Sequence, residues 1–251
     1  MEEIQSENKK RFKDYLLEGL MIFVAVTLGF FAESIRESMN DRKKEREYVA
    51  SLISNLEQDT AQFKSVIKAN KRKLAGLDSL LLLLNGEDMN ANTRSLLYQS
   101  YGPYVSYVEI FLSNDATMIQ LKNSSGLQYI KRAHIADSIL LYDIVVRGIY
   151  AADELYQASI KDVVDEMANV MVFRTANDTS FYKDGRYTSK ELPLLTREAK
   201  ELEILFNKIS ISRGWTENYL EKLKRFYPYS VRLLELLKHE YGYVSRQIPE
   251  N

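Results

Sequence analysis

Residues 15–47 decide the fold: Tyr15-Leu-Leu-Glu-Gly-Leu-Met-Ile-Phe-Val-Ala-Val-Thr-Leu-Gly-Phe-Phe-Ala-Glu-Ser-Ile35 leads through Arg36 into Asn40-Asp-Arg-Lys-Lys-Glu-Arg-Glu47. The first part is apolar on every side of a helix, and such a helix must be buried all round, in lipid or in a large core. Its uncharged centre, Gly19 to Ala32, is only fourteen residues. That length alone also suits a core helix or a signal-peptide core. Extending to Leu16–Ile35 gives twenty residues and admits Glu18 and Glu33. The window holds eleven Leu, Ile, Val or Phe residues. At about −0.3 to −0.6 kcal/mol each they favour insertion by roughly 3 to 7 kcal/mol, against about 2.5 to 3.5 kcal/mol for one central charge. Both glutamates lie near the ends, where headgroups or water reach them. The sequence therefore predicts a transmembrane helix over 15–36 after an N-terminal tail, 1–14.

Two other readings compete. A cleaved signal peptide fits the basic start Lys9-Lys10-Arg11-Phe-Lys13, but Phe30-Phe31-Ala32 puts a bulky residue where cleavage needs a small one. A buried soluble helix would need a core that the rest of the chain poorly supplies.

Working outward, residues 37–251 read as a helical extramembrane domain with long helices over about 41–84, 135–173 and 194–244. Over 41–84 a seven-residue pattern places Val49, Leu56, Phe63, Leu77 and Leu84 at one seam position, and Leu52, Val66 and Leu80 at the other. Asn70 interrupts the first row, and Asp59 and Lys73 the second. One long arm of a bundle is therefore a better reading than a pure two-stranded coiled coil. No proline lies between Lys13 and Leu84, so the membrane helix is expected to run on into this arm. The polar tail Met1 to Lys10 is expected to be loose.

Farther on, Asn85–Asn92 is turn-rich, with Asn92 or Thr93 capping a helix to Ser100. Tyr101-Gly102-Pro103-Tyr104 interrupts it, and Val105–Leu112 resumes as helix or extended chain. Ser113-Asn114-Asp115 caps Ala116–Asn123, and Ser124-Ser125-Gly126 ends it, the glycine suiting a left-handed turn. Thr175–Pro193 is a polar connection in which Phe181–Tyr187 could form a small hairpin. Pro228 marks a kink in the last helix. The fold class expected is all-α: a membrane helix continuing into a long amphipathic helix packed in an antiparallel bundle.

Composition excludes several chemistries. The chain has 251 residues, a net charge of −1 and no cysteine. There is no electrostatic case for nucleic acid, and disulfides, iron–sulfur clusters and thiol catalysis are ruled out. His134 and His239 lack ligand spacing, so no metal is expected. Ser124-Ser125-Gly126 is not a nucleophile elbow. No phosphate-binding glycine loop occurs, Asp162, Asp165 and Glu166 read as a solvated helix face, and Trp215 as a packing anchor. No catalytic residue and no cofactor is expected. The partners expected are the lipid bilayer and another membrane helix, from a second copy or a different membrane protein.

One constellation stands out within the span. Glu18, Ala25, Gly29 and Ala32 share a narrow arc at 100° per residue, and Ala25-x-x-x-Gly29 has the small-x-x-x-small form that lets helices approach closely. Glu18 either snorkels to the near interface or bonds across such a contact.

The charged run ending Arg42–Tyr48, the segment Leu52-Ile-Ser-Asn-Leu56-Glu-Gln-Asp59, and Met118-Ile-Gln-Leu121-Lys-Asn-Ser124-Ser-Gly126-Leu-Gln-Tyr-Ile130 add a resemblance. Together with Glu18-Gly19 they resemble a family of uncharacterised single-pass membrane proteins common in Bacteroidota. The similarity covers about residues 12–145, and the family's usual tryptophan after the membrane helix is absent here. The resemblance implies membrane anchoring and a helical extramembrane domain. It supplies no catalytic residues, since the family has no assigned activity.

Three functions are weighed. The first is a membrane-anchored scaffold or interaction protein, which a flat apolar patch on the bundle would favour. The second is an extracytoplasmic sensory bundle acting through a partner, which a buried polar pocket would favour. The third, an enzyme, has little support. The expected location is a bacterial inner membrane with the domain outside the cytoplasm. Four basic residues precede the span and five follow closely. Charge therefore barely decides orientation, and long domains translocate largely regardless of it.

Overall fold

The computed structural model describes residues 2–84, 89–123, 126–176, 182–183, 186–187 and 192–242, with side chains from Phe12 onward except at 176, 182, 183 and 186. The chain is all-α. Helix α1, Glu2–Leu84, has 83 residues and no break. At 1.5 Å per residue it is about 125 Å long. The expected continuity of the apolar helix with the amphipathic arm is therefore present. The tail is corrected: its backbone is helical from Glu2 rather than loose. Neither proline nor glycine occurs between Glu2 and Lys13, so the backbone carries no break that would stop the helix short of Glu2.

The chain continues with α2, Ala91–Ser100, a π-helical turn over Tyr101–Ser106, and α3, Ala116–Asn123. A 3₁₀ turn over Gly126–Tyr129 leads to α4, Ala133–Val170. The single turn α5, Phe173–Ala176, precedes β1, Tyr182–Lys183, and β2, Arg186–Tyr187. Helix α6, Ala199–Tyr241, follows. The small hairpin is present, with Tyr182 opposite Tyr187 and Lys183 opposite Arg186. The two residues between its strands, 184 and 185, lie outside the described residues, as do 85–88 of the first turn-rich loop.

Helix α6 is the hub. It runs antiparallel to α1, with Glu45 meeting Tyr241, Glu57 meeting Lys238 and Asp78 meeting Arg213. It also runs antiparallel to α4, with Arg132 paired to Glu240 and Glu166 to Lys208. The chain from Tyr101 to Asn123 packs against both α1 and α4 and fills the wedge between them. Pro228 sits inside α6 without ending it. Gly242 does end it, adopting φ 68°, where a glycine carries no Cβ penalty. Residues 243 and 244 of the expected third helix lie outside the described residues.

The expected seam is the core. Val49, Leu52, Leu56, Phe63, Val66, Leu77, Leu80 and Leu84 are all buried. They divide between two apolar clusters. One contains Val49 to Val66 with the first half of α4 and the second half of α6. The other contains Leu77 to Leu84 with α2, the end of α4 and the start of α6. Gly76 stands between them for steric reasons: a Cβ there would fall 2.2 Å from the Tyr104 ring.

Several local expectations change. The cap of α2 is Asn90, not Asn92 or Thr93; its side chain accepts from the backbone of Asn92 at 2.9 Å and Thr93 at 3.1 Å. Gly126 is not left-handed. It opens the 3₁₀ turn, where a Cβ would lie only 3.0 Å from Leu121 Cα. Ser124 and Ser125 lie outside the described residues. Trp215 is half-buried and belongs to neither core cluster. Glu166 is buried rather than solvated, bonded to Lys208 at 2.7 Å, and that bond holds its carboxyl below the usual range.

Candidate functional site

Two features of α1 are candidates for function: its apolar N-terminal part and its buried polar positions. The first needs all-round burial yet finds no partner among the described residues. Phe12–Leu84 is the one described helix long and apolar enough to cross a membrane, and none of its most apolar window is buried in the protein. The buried soluble helix is thereby overturned. Leu16, Leu17, Leu20, Ile22, Phe23 and Leu28 are each more than half exposed. Glu18, Ala25, Gly29 and Ala32 are exposed together on one arc, and a Cβ on Gly29 would meet nothing within 4 Å. The polar groups of this segment are satisfied locally. Thr27 donates to the Phe23 carbonyl at 2.7 Å, and Glu33 pairs with Arg36 one turn on at 2.6 Å. Both arrangements lower the cost of polar atoms in an apolar medium.

The second feature corrects the reading of the seam. Asp59, Asn70 and Lys73 do not break it. All three are buried, between 1% and 2% exposed. They face the irregular strap 107–115 that threads between α1 and α4. The strap is buried at Phe111 and exposed along its outer side, and the peptide groups it turns inward, outside regular structure, must find partners elsewhere. Asn70 donates to the Glu109 carbonyl at 2.9 Å, and Lys73 to the carbonyls of Val105 at 3.3 Å and Tyr107 at 2.5 Å. The Phe111 amide donates to Tyr219 Oη at 2.9 Å, Leu112 to Gln62 Oε1 at 3.2 Å and Ser113 to Tyr150 Oη at 3.1 Å. Asp59 accepts from the Asn114 amide at 2.8 Å, Ser113 Oγ at 2.6 Å and Tyr142 Oη at 2.7 Å. Burial, and then the Asp59 carboxylate, push the Tyr142 phenol far above its ordinary value. Asp59, Gln62, Asn70 and Lys73 recur at helical spacing, so one face of α1 supplies the strap's missing ladder.

Lys73 has no carboxylate within ion-pair distance among the described residues. Its ammonium lies 5.3 Å from the Tyr156 ring centroid, beside the parallel Tyr156–Tyr219 stack at 4.8 Å. Burial brings its pKa down to about 7. An unfolded lysine titrates near 10.4, so between about pH 7 and 10 the unfolded chain binds the extra proton. Stability should therefore rise with pH across that window, approaching about 1.4 kcal/mol per pH unit, and level off below pH 7. In Lys73→Met this rise should vanish. Urea unfolding of both proteins at several pH values checks it; parallel curves would mean that Lys73 is hydrated.

Such a set could bind a ligand only with space beside it. The void near Asp59 and Tyr142 is about 20 Å³, room for one water at most. A larger open groove of about 1060 Å³ lies at the far end, between the end of α1 and the start of α6. No group of three or more metal-ligating side chains occurs among the described residues. His134 and His239 are exposed. The bundle carries one further surface feature that the sequence reading missed. Leu140, Ile144 and Leu155, from 38% to 57% exposed, line one face of α4 with Ala151. Their spacing of four, seven and four residues was legible as a second apolar stripe on a helix already supplied with one.

Comparison of the chain with protein-family models, curated proteins and solved structures finds no match.

Proposed function

We propose that the protein is a membrane-anchored helical scaffold, held by one span at Leu16–Ile35, whose bundle docks a partner or a second copy. The observation that carries this reading is the exposed apolar helix running without a break into the packed arm. A segment apolar on all faces and uncovered by its own chain is stable only in lipid. Because the helix is unbroken, the anchor also orients the bundle rather than tethering it on a loop. The α4 stripe favours docking over ligand sensing, since single exposed apolar residues are ordinary but several recurring along one exposed helix face suit a contact surface. The filled interior around Asp59 points the same way. The stripe Glu18, Ala25, Gly29 and Ala32 is the surface offered to another membrane helix, where close packing and interhelical hydrogen bonds replace hydrophobic burial.

The same proposal puts the domain outside the cytoplasm of a bacterial inner membrane, since long domains translocate largely regardless of the charge beside a span. Carbonate-washed membranes should retain the full chain in the pellet, and a C-terminal alkaline phosphatase fusion should be active. Release of the uncleaved chain into the supernatant would refute the span. An inactive phosphatase with a fluorescent cytoplasmic reporter would reverse the orientation only.

A further inference from the structure

We propose that the membrane-facing base of the bundle is a binding site for anionic phospholipid headgroups, a proposal that rests on the span reading. Arg42 and Arg46 lie one turn apart on α1 and face the turn before α4, which brings Lys131 and Arg132 beside them. The four cations border a surface recess of about 270 Å³ together with the carboxylates of Glu45 and Glu240. The acids are already engaged. Glu45 accepts from Tyr241 Oη at 2.6 Å and from the Lys131 amide at 3.2 Å, and Glu240 pairs with Arg132. Lys131 is paired with Asp41 at 3.0 Å. Arg42 and Arg46 are exposed and have no ion pair among the described residues. Two guanidinium groups are thus left facing a recess in which cations outnumber acids. A planar guanidinium matches a phosphate diester through paired N–H donors.

The unbroken helix fixes the depth of this recess. Arg42 is seven residues beyond Ile35, about 10 Å along the axis, and Arg46 about 16 Å. The headgroup layer extends about 5–8 Å beyond the hydrocarbon on each side. Arg42 therefore reaches headgroup phosphate with its flexible stem, and the recess opens on the bilayer surface. Lys131 and Arg132 come from the chain 85 or more residues farther on, so only the folded bundle assembles the site.

The test uses the full chain in nanodiscs of phosphatidylcholine, alone or mixed with phosphatidylglycerol, with retained lipids counted by native mass spectrometry. Phosphatidylglycerol should be retained over phosphatidylcholine. In Arg42→Gln/Arg46→Gln that preference should fall about tenfold or more, as expected for two charges at a lipid surface. Lys64→Gln/Lys68→Gln, which removes the same charge higher on α1, should keep it. Equal retention of both lipids by the wild type, or an equal loss in both double variants, would overturn the headgroup site. Displacement of phosphatidylglycerol by millimolar inorganic phosphate that itself stays bound would make it a free-phosphate site and also overturn the assignment. A chain that does not enter the nanodisc would instead contradict the span.

Discussion

Asp59→Ala is expected to lower the stability of the bundle by about 2–4 kcal/mol, because it strands three donors at once. Tyr142 Oη, Ser113 Oγ and the Asn114 amide all end on this one carboxylate. The Tyr142 hydroxyl is buried and would keep the Ser113 side chain as a neighbour, while Ser113 and Asn114 regain part of their loss from water. Tyr142→Phe alone should cost only about 1 kcal/mol, and combined with Asp59→Ala it should cost less than the sum, since the stranded hydroxyl is then gone. Urea unfolding of the full chain in detergent, followed by far-ultraviolet circular dichroism, measures all three variants. An unchanged midpoint in Asp59→Ala would mean that the strap is not anchored to α1.

Leu56→Asp should be more damaging still, by about 4–5 kcal/mol. Leu56 is 1% exposed in the larger apolar cluster. Truncating such a leucine alone costs about 2–5 kcal/mol, and the carboxylate adds an uncompensated charge. The same unfolding experiment reads it, and a normal transition would place the seam in solvent. The contrast between the two sites is physical. A carboxylate at 59 is required because a peptide group, a hydroxyl and a phenol point at it, whereas a carboxylate one turn earlier would enter the apolar cluster beside the charge of Asp59.

That contrast also explains what the sequence could and could not reveal. The seam was legible because Val49, Leu56, Phe63, Leu77 and Leu84 answer to a local rule, the helical repeat. Asp59, Asn70 and Lys73 looked like interruptions because their partners, the peptide groups of 105–114, lie some 30 to 55 residues away in sequence, at the end of the π-helical turn and in the irregular strap after it. Gly76 carried a weak signal, since glycine inside a long helix is disfavoured and usually has a packing reason; the reason proved to be the Tyr104 ring. The capping asparagine was misplaced by two residues because Asn90 and Asn92 are chemically equivalent candidates. Arg42 and Arg46 read only as members of a charged run for the same reason that Asp59 read as a break. Lys131 and Arg132 join them only through the turn before α4.

The scaffold reading depends first on where the apolar part of α1 resides. The chain has no cysteine, so single cysteines can be placed from Leu16 to Glu47 without background. Spin labels at these positions, in protein reconstituted into liposomes, report access to oxygen in the hydrocarbon and to a water-soluble nickel complex outside it. The predicted profile has oxygen access peaking near Ala25, falling toward Leu16 and Arg36, and giving way to nickel access from Met39 onward. Nickel access at Ala25 equal to that at Lys43 would place the segment in water and contradict the membrane anchor.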